Sequence, residues 1–259
     1  MHAAPRWSLP LALLGAALIV VPIIGVCARV DWGELPHILT APSSLTAISL
    51  SLRTATASTL LCLVMGVPLA SLLSQLRGTV RSVARAVLLA PLVLPPVVGG
   101  LALLYAFGRK GLVGASLHAW GIDIAFSTTA VIIAQTFVAL PFMVLTVDGA
   151  RASRSGRHEA IAATLGASRS RILWRVTLPA LLPAMVAGTV LCFARAMGEF
   201  GATLAFAGSK AGVTRTAPLE IYLQRESDPQ AAVALSLVML VVAVTVVAFA
   251  YRPAKQAES

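Results

Sequence analysis

Long apolar runs recur along the chain, separated by short polar segments. Residues 8–28 carry no charge, and a helix of that length, at about 1.5 Å per residue, reaches about 31 Å, one hydrocarbon thickness. Similar runs over 45–74, 86–107, 125–147, 180–207 and 231–250 predict five more spanning helices. Arg6 before the first run and Val26-Cys27-Ala28 at its end also fit a signal peptide. The run is long for a signal and more spans follow, so an uncleaved first helix is expected. The second run is dotted with Ser49, Ser51, Thr54, Thr56, Ser58 and Thr59, small residues that let helices pack closely. Pro68, Pro91, Pro95, Pro96, Pro141 and Pro183 fall within or near spans. Broken helices of this kind occur where backbone is buried in protein or lines a cavity, which points to a transporter or channel rather than an anchor. The expected fold class is all-α, a polytopic membrane protein with six transmembrane helices.

Composition agrees with the pattern. Of 259 residues, 58% are apolar, aromatic or cysteine and 12% are charged, with a mean hydropathy of +0.88. A typical soluble domain has about 45–50% apolar and about 25% charged residues. These values exclude a soluble enzyme, a nucleic-acid-binding domain and a disordered chain. The net charge of +10 then becomes a question of sidedness. With the N-terminus inside, the inner segments hold 12 Lys and Arg and the outer loops hold six. The positive-inside rule therefore predicts both termini in the cytoplasm, and explains the basic chain without nucleic acid. Cys27, Cys62 and Cys192 sit in apolar stretches, with no metal-ligand spacing and no disulfide framework. No metal site is expected.

The inner segment between the fourth and fifth runs, about 148–178, has its own pattern. His158-Glu-Ala-Ile-Ala-Ala-Thr-Leu-Gly-Ala-Ser168 is followed by Arg169-Ser-Arg-Ile-Leu-Trp-Arg-Val-Thr-Leu-Pro179. This reads as a short helix, a stop at Gly166 in the left-handed conformation, a cap at Ser168 and a second short helix. Ile161, Ala162 and Leu165 share one face of the first helix, and Ile172, Leu173 and Val176 one face of the second. An apolar stripe on a basic loop suits either the membrane surface or the groove of a partner protein.

The segment resembles the EAA loop of bacterial ABC-transporter permease subunits: Glu-Ala-Ala, three residues, Gly, nine residues, then Ile-x-Leu-Pro. Gly166 takes the Gly slot, Val176 the Ile slot, and Leu178-Pro179 match. Counting back from Gly166, Ala160 occupies the Glu slot, Ile161 the first Ala slot and Ala162 the second; Glu159 lies one position earlier. Pro91-Leu-Val-Leu-Pro-Pro-Val-Val98, Gly108-Arg-Lys-Gly-Leu-Val-Gly114, Phe193-Ala-Arg-Ala-Met-Gly-Glu-Phe-Gly-Ala-Thr203 and Thr216-Ala-Pro-Leu-Glu-Ile-Tyr222 are similar to the molybdate/tungstate branch. Sulfate/thiosulfate permeases share the Arg-Ala-x-Gly-Glu-Phe-Gly pattern. The resemblance runs from about Leu45 to the sixth run.

It implies a type I ABC importer permease, a single transmembrane domain over 1–259 with a cytoplasmic coupling loop at about 151–178. Its implied partners are a second copy of itself, a cytoplasmic ATPase dimer that uses ATP and Mg, an extracytoplasmic oxyanion-binding protein and membrane lipid. Glu159, Ala160, Ala162, Gly166, Val176, Leu178 and Pro179 are the coupling-loop candidates.

Arg53, Arg195 and Glu199 are ionisable residues set within apolar runs, and such residues are functional candidates by default. At helical rise Arg195 lies about 24 Å beyond Pro179 and Arg53 about 31 Å from Ser74, which places both in the outer half. They either help pass a dianion or serve the structure, Arg195 as an intrahelical ion-pair partner of Glu199 and Arg53 by snorkelling to the interface. No phosphate-binding Gly-x-x-x-x-Gly-Lys-Ser/Thr loop, His-Glu-x-x-His or Gly-x-Ser-x-Gly occurs, so no catalytic residue is assigned and no cofactor is expected in this chain. ATP hydrolysis belongs to the partner. The alternatives are a sulfate/thiosulfate permease and, from another class, a self-standing channel or secondary transporter. The last of these usually carries inverted repeats, and none is visible here.

Overall fold

The computed structural model describes residues 7–153 and 157–250, and every regular element among them is helical. In chain order these are α1 (Ser8–Arg29), α2 (Leu35–Thr40), α3 (Pro42–Gln75), α4 (Gly78–Val93), α5 (Pro96–Phe107), α6 (Gly114–Ala119), α7 (Thr128–Ala152), α8 (Arg157–Thr164) and α9 (Arg169–Ile172). A π-turn, Leu173–Thr177, leads into α10 (Leu178–Met197), followed by α11 (Gly201–Ala207), α12 (Ala217–Ser227) and α13 (Pro229–Ala250). Five helical stretches are long and apolar enough to cross a membrane: α1, α3, α7, the continuous run Arg169–Met197, and α13. The pair α4 and α5, bent by 114° at its junction, makes a sixth if counted as one span.

Two expected spans differ from the structure. The third, 86–107, is not one helix. α4 begins earlier, at Gly78, and the chain leaves helical geometry at Leu94 and Pro95 before α5 restarts at Pro96. Each proline pushes the residue before it out of the α region, and two in a row hold Leu94 and Pro95 extended. Pro68, Pro141 and Pro183, by contrast, sit inside unbroken helices. The fifth span, 180–207, stops at Met197 and restarts at Gly201. At its other end it extends back through the π-turn to Arg169. The second short helix expected after Ser168 is therefore the first turn of a spanning helix.

The core is built from α3, α7 and α10. The buried face of α3 is mostly small residues, Ser44, Ala47, Ser51, Ala55, Ser58, Cys62, Gly66 and Ala70 among them, joined by Val67 and Leu73. Other large side chains, Leu45, Leu60, Val64 and Leu72, point outward. A soluble helix does the reverse; an apolar outer face of this kind suits a membrane-spanning helix, and small residues let backbones approach. Most hydroxyls of α3 turn back onto their own helix, as Thr54 does to Leu50 O and Thr59 to Ala55 O. One apolar cluster around Cys62, Met143, Val147 and Leu181 fills the half nearer the 157–178 segment. A second, around Leu103, Val131, Ala134 and Phe206, fills the other half. There α5 lies against α11 so closely that a Cβ on Gly100 would come within 2.7 Å of Ala202 O. The end carrying Arg77, Arg81, Arg151, Arg169 and Arg175 is called the basic end below, and the opposite one the far end.

Candidate functional site

The basic segment folds locally as its residues require. Gly166 has φ +79°. Its N–H donates to Ala163 O at 3.0 Å, and the Ala167 N–H donates to Ala162 O at 3.0 Å. This is the paired closure of a Schellman motif, which needs a residue in the left-handed region. The Ser168 hydroxyl then accepts from the Arg171 N–H at 3.4 Å, capping the next helix. Ile161, Leu165, Leu173 and Trp174 remain exposed, Leu165 at 82%. Among the described residues these apolar side chains are left uncovered at the basic end.

Glu159, one position before the motif's Glu slot, is the residue that reaches across the segment. Its Oε1 accepts from Thr177 Oγ1 at 2.7 Å and lies 4.0 Å from Arg151 Nη2. Arg151 Nη1 donates to Ser71 Oγ at 3.2 Å. One chain of contacts thus runs from α3 through α7 and α8 to the π-turn, beside Val176, Leu178 and Pro179. Ala160 and Ala162 are small residues on α8, Ala160 exposed and Ala162 half-buried.

Arg195 and Glu199 do pair: Nη2 and Oε2 are 2.7 Å apart, and the Glu199 side chain is 1% exposed. Glu199 lies past the end of α10, however, and its Oε1 accepts from the Ala202 N–H at 2.7 Å. The carboxylate therefore ties the last turn of α10 to the first turn of α11 and satisfies one of the free N–H groups that open a helix. Arg53 is not brought to this pair. It is exposed and, among the described residues, makes no ion pair. It faces a shallow depression of about 310 Å³ with Thr46, Ser49 and Gly212 toward the far end.

A family model described as "binding-protein-dependent transport system inner membrane component" matches residues 63–254. The chain belongs to this family. It is 56% identical over 243 residues to the molybdenum transport system permease protein ModB of Mycobacterium tuberculosis, covering 94% of this chain and 92% of that one. It is 32% identical over 238 residues to the sulfate transport system permease protein CysT of Escherichia coli, covering 90% and 86%. A crystal structure of a bacterial alginate ABC transporter, in complex with an alginate pentasaccharide-bound periplasmic protein, superposes with a TM-score of 0.72 at 18% identity, covering 94% of this chain and 91% of that one. That likeness bears on the fold, which is that of an ABC importer permease.

Within this permease fold, sequence reasoning passed over three buried pairings. Asp148, taken as the start of a loop, is buried on α7 and accepts from Arg81 Nη2 at 3.1 Å. It continues the face of Met143, Val144 and Val147, a periodicity that was the available signal. Glu220 is buried on α12, where its Oε2 lies 3.4 Å from Arg215 Nη1 and its Oε1 accepts from Gln224 Nε2 at 2.8 Å. Ser51 of α3 accepts from the Ala217 N–H at 2.7 Å and so caps α12 from outside. At the far end His118 Nδ1 lies 2.8 Å from Asp123 Oδ1, with Arg109 Nη2 3.0 Å from Asp123 Oδ2. Desolvation is the largest single influence on Asp123 and opposes its ionisation, but hydrogen bonds and charge from Arg109 and His118 together outweigh it and hold the carboxyl below its ordinary value.

Proposed function

We propose that the chain is the membrane permease subunit of an ATP-driven ABC importer that brings molybdate, or the isosteric tungstate, into the cytoplasm. The observation that carries this reading is the 56% identity to a molybdenum transport permease over 94% of the chain. The 32% identity to a sulfate permease supports a second reading with sulfate or thiosulfate as cargo. The test is ATP-driven uptake of labelled molybdate, tungstate and sulfate into vesicles holding the full complex. Molybdate uptake unaffected by excess sulfate is expected; sulfate uptake without molybdate uptake would favour the second reading.

In the proposed assembly, two copies of this single 1–259 domain enclose the path, and lipid surrounds them. Two ATPase subunits, carrying ATP and Mg, bind the 151–178 segment. An oxyanion-binding protein delivers cargo at the far end. The exposed patch of Ile161, Leu165, Leu173 and Trp174 supports docking of the ATPase, since an apolar helix face of this kind seeks a groove. Glu159, Gly166, Val176, Leu178 and Pro179 hold that patch in register with α10. Closure of the ATPase pair pulls α8, and the Glu159–Thr177 and Arg151–Ser71 contacts carry the movement to α10 and α3. The excess of Lys and Arg at the basic end supports a cytoplasmic position for it and for both termini.

Arg53 and Arg195 are proposed to attract or pass the dianion. The support is that both remain partly open, and that Arg53 is charged without a partner among the described residues. Glu199 serves that passage indirectly, by orienting Arg195 and holding the α10–α11 elbow.

A further inference from the structure

A cleft of about 950 Å³ opens at the basic end between α3, α4, α7 and the π-turn. Three guanidinium groups border it, Arg81 from the first turn of α4, Arg151 from the last turn of α7 and Arg175 from the π-turn. Glu159 is the carboxylate in its wall. Asp148 lies buried behind Arg81 and is already bonded to it. Three cations against two carboxylates leave a positive charge uncompensated. Arg175 is the source: among the described residues it makes no hydrogen bond and no ion pair, and its side chain is exposed. Its five N–H donors in a planar fork match tetrahedral oxyanions. The rest of the wall mixes polar residues, Ser74, Ser153, His158 and Thr177, with apolar Val176, Pro179 and Leu181.

We propose that this cleft binds a tetrahedral oxyanion of the phosphate class, held chiefly by Arg175 with the remaining donors of Arg81 and Arg151. The anion arrives on the headgroup of an anionic lipid or free in solution. The place suits a headgroup, because arginines between spanning helices at the membrane boundary form such basic pockets and the apolar part of the wall, Val176, Pro179 and Leu181, accepts the first methylenes of a lipid chain. An anion there joins α4, α7 and the segment leading into α10.

The test uses the purified full-length chain in detergent and follows its thermal unfolding midpoint. The probes are short-chain phosphatidylglycerol, short-chain phosphatidylcholine, and sodium phosphate against sodium chloride at matched ionic strength. A saturable rise with phosphatidylglycerol but not with phosphatidylcholine or phosphate identifies the lipid source; a rise with phosphate over chloride identifies the free anion. In either case Arg175→Gln should weaken the apparent affinity about tenfold, the loss of charge-assisted hydrogen bonds, and Arg175→Lys should recover part of it. Arg225→Gln, at the far end on α12, should bind as the parent does. Absence of a rise with both anionic probes would overturn the proposal. So would unchanged binding by Arg175→Gln, or equal weakening by Arg225→Gln.

Discussion

Gly166 offers the sharpest test of the coupling segment, because its role is purely conformational. At φ +79° nothing lies within 4 Å of where a Cβ would stand, so a substitution meets no steric wall. What remains is the intrinsic cost of the left-handed region, about 1–2 kcal/mol for an L-residue and at the upper end for a β-branched one. At about 1.4 kcal/mol per factor of ten, Gly166→Val should lower the population of the native turn relative to unwound alternatives by roughly tenfold. The two closing hydrogen bonds at Gly166 and Ala167 are the ones lost, and α8 is then mis-aimed while the spans stay intact. Gly166→Asn keeps access to the left-handed region and should behave close to the parent. The assay is co-purification with the partner ATPase, measured together with transport-linked ATP hydrolysis. Both should fall for the valine variant and recover for the asparagine variant. If the valine variant matches the parent, or the asparagine variant fails equally, the turn is not what couples the segment.

Alkaline phosphatase fused after Lys110 or Arg215 should be active and fused after Arg157 inactive; the reverse pattern would overturn the assigned orientation. Arg195→Gln combined with Glu199→Met should reduce uptake with assembly intact, and normal uptake by that double variant would remove the pair from the pathway. Arg81→Met, which strands a 3%-exposed carboxylate, should cost about 3–5 kcal/mol. Asp148→Asn, which frees a 35%-exposed arginine to turn to water, should cost only about 1–3 kcal/mol; unfolding in detergent that ranks them the other way refutes the assigned burial. Asp123, with its folded pKa depressed, adds stability that is fully present above the ordinary aspartate value of about 3.9 and is lost as pH falls through the lower folded value. Hydrogen-exchange protection, corrected for the intrinsic pH dependence, should therefore hold steady in the 114–126 segment down to about pH 4 and fall below it; a loss beginning near neutrality would contradict this.

Features that depend on neighbours within a turn or two were legible in the amino-acid order. The apolar runs, the uneven sharing of Lys and Arg between loops, the turn at Gly166, the cap at Ser168 and the Arg195–Glu199 pair all follow from covalent spacing and local backbone preference. The proline pair at Pro95–Pro96 was visible too, but its consequence depended on whether a helix restarts afterwards, and packing of α5 on α11 decides that. Contacts between distant segments were not legible. Asp148 meets Arg81, Glu159 meets Thr177 and Ser51 caps α12 only because α4 packs on α7, α8 folds back on the π-turn and α12 packs on α3. In a membrane this packing is set by small residues and by the need to satisfy every buried polar group, and a linear pattern of apolar residues carries little of that information. Glu199 shows both levels in one residue. Its pairing four residues back is local, whereas the break that lets its other oxygen cap α11 exists because α11 turns aside to lie against α5.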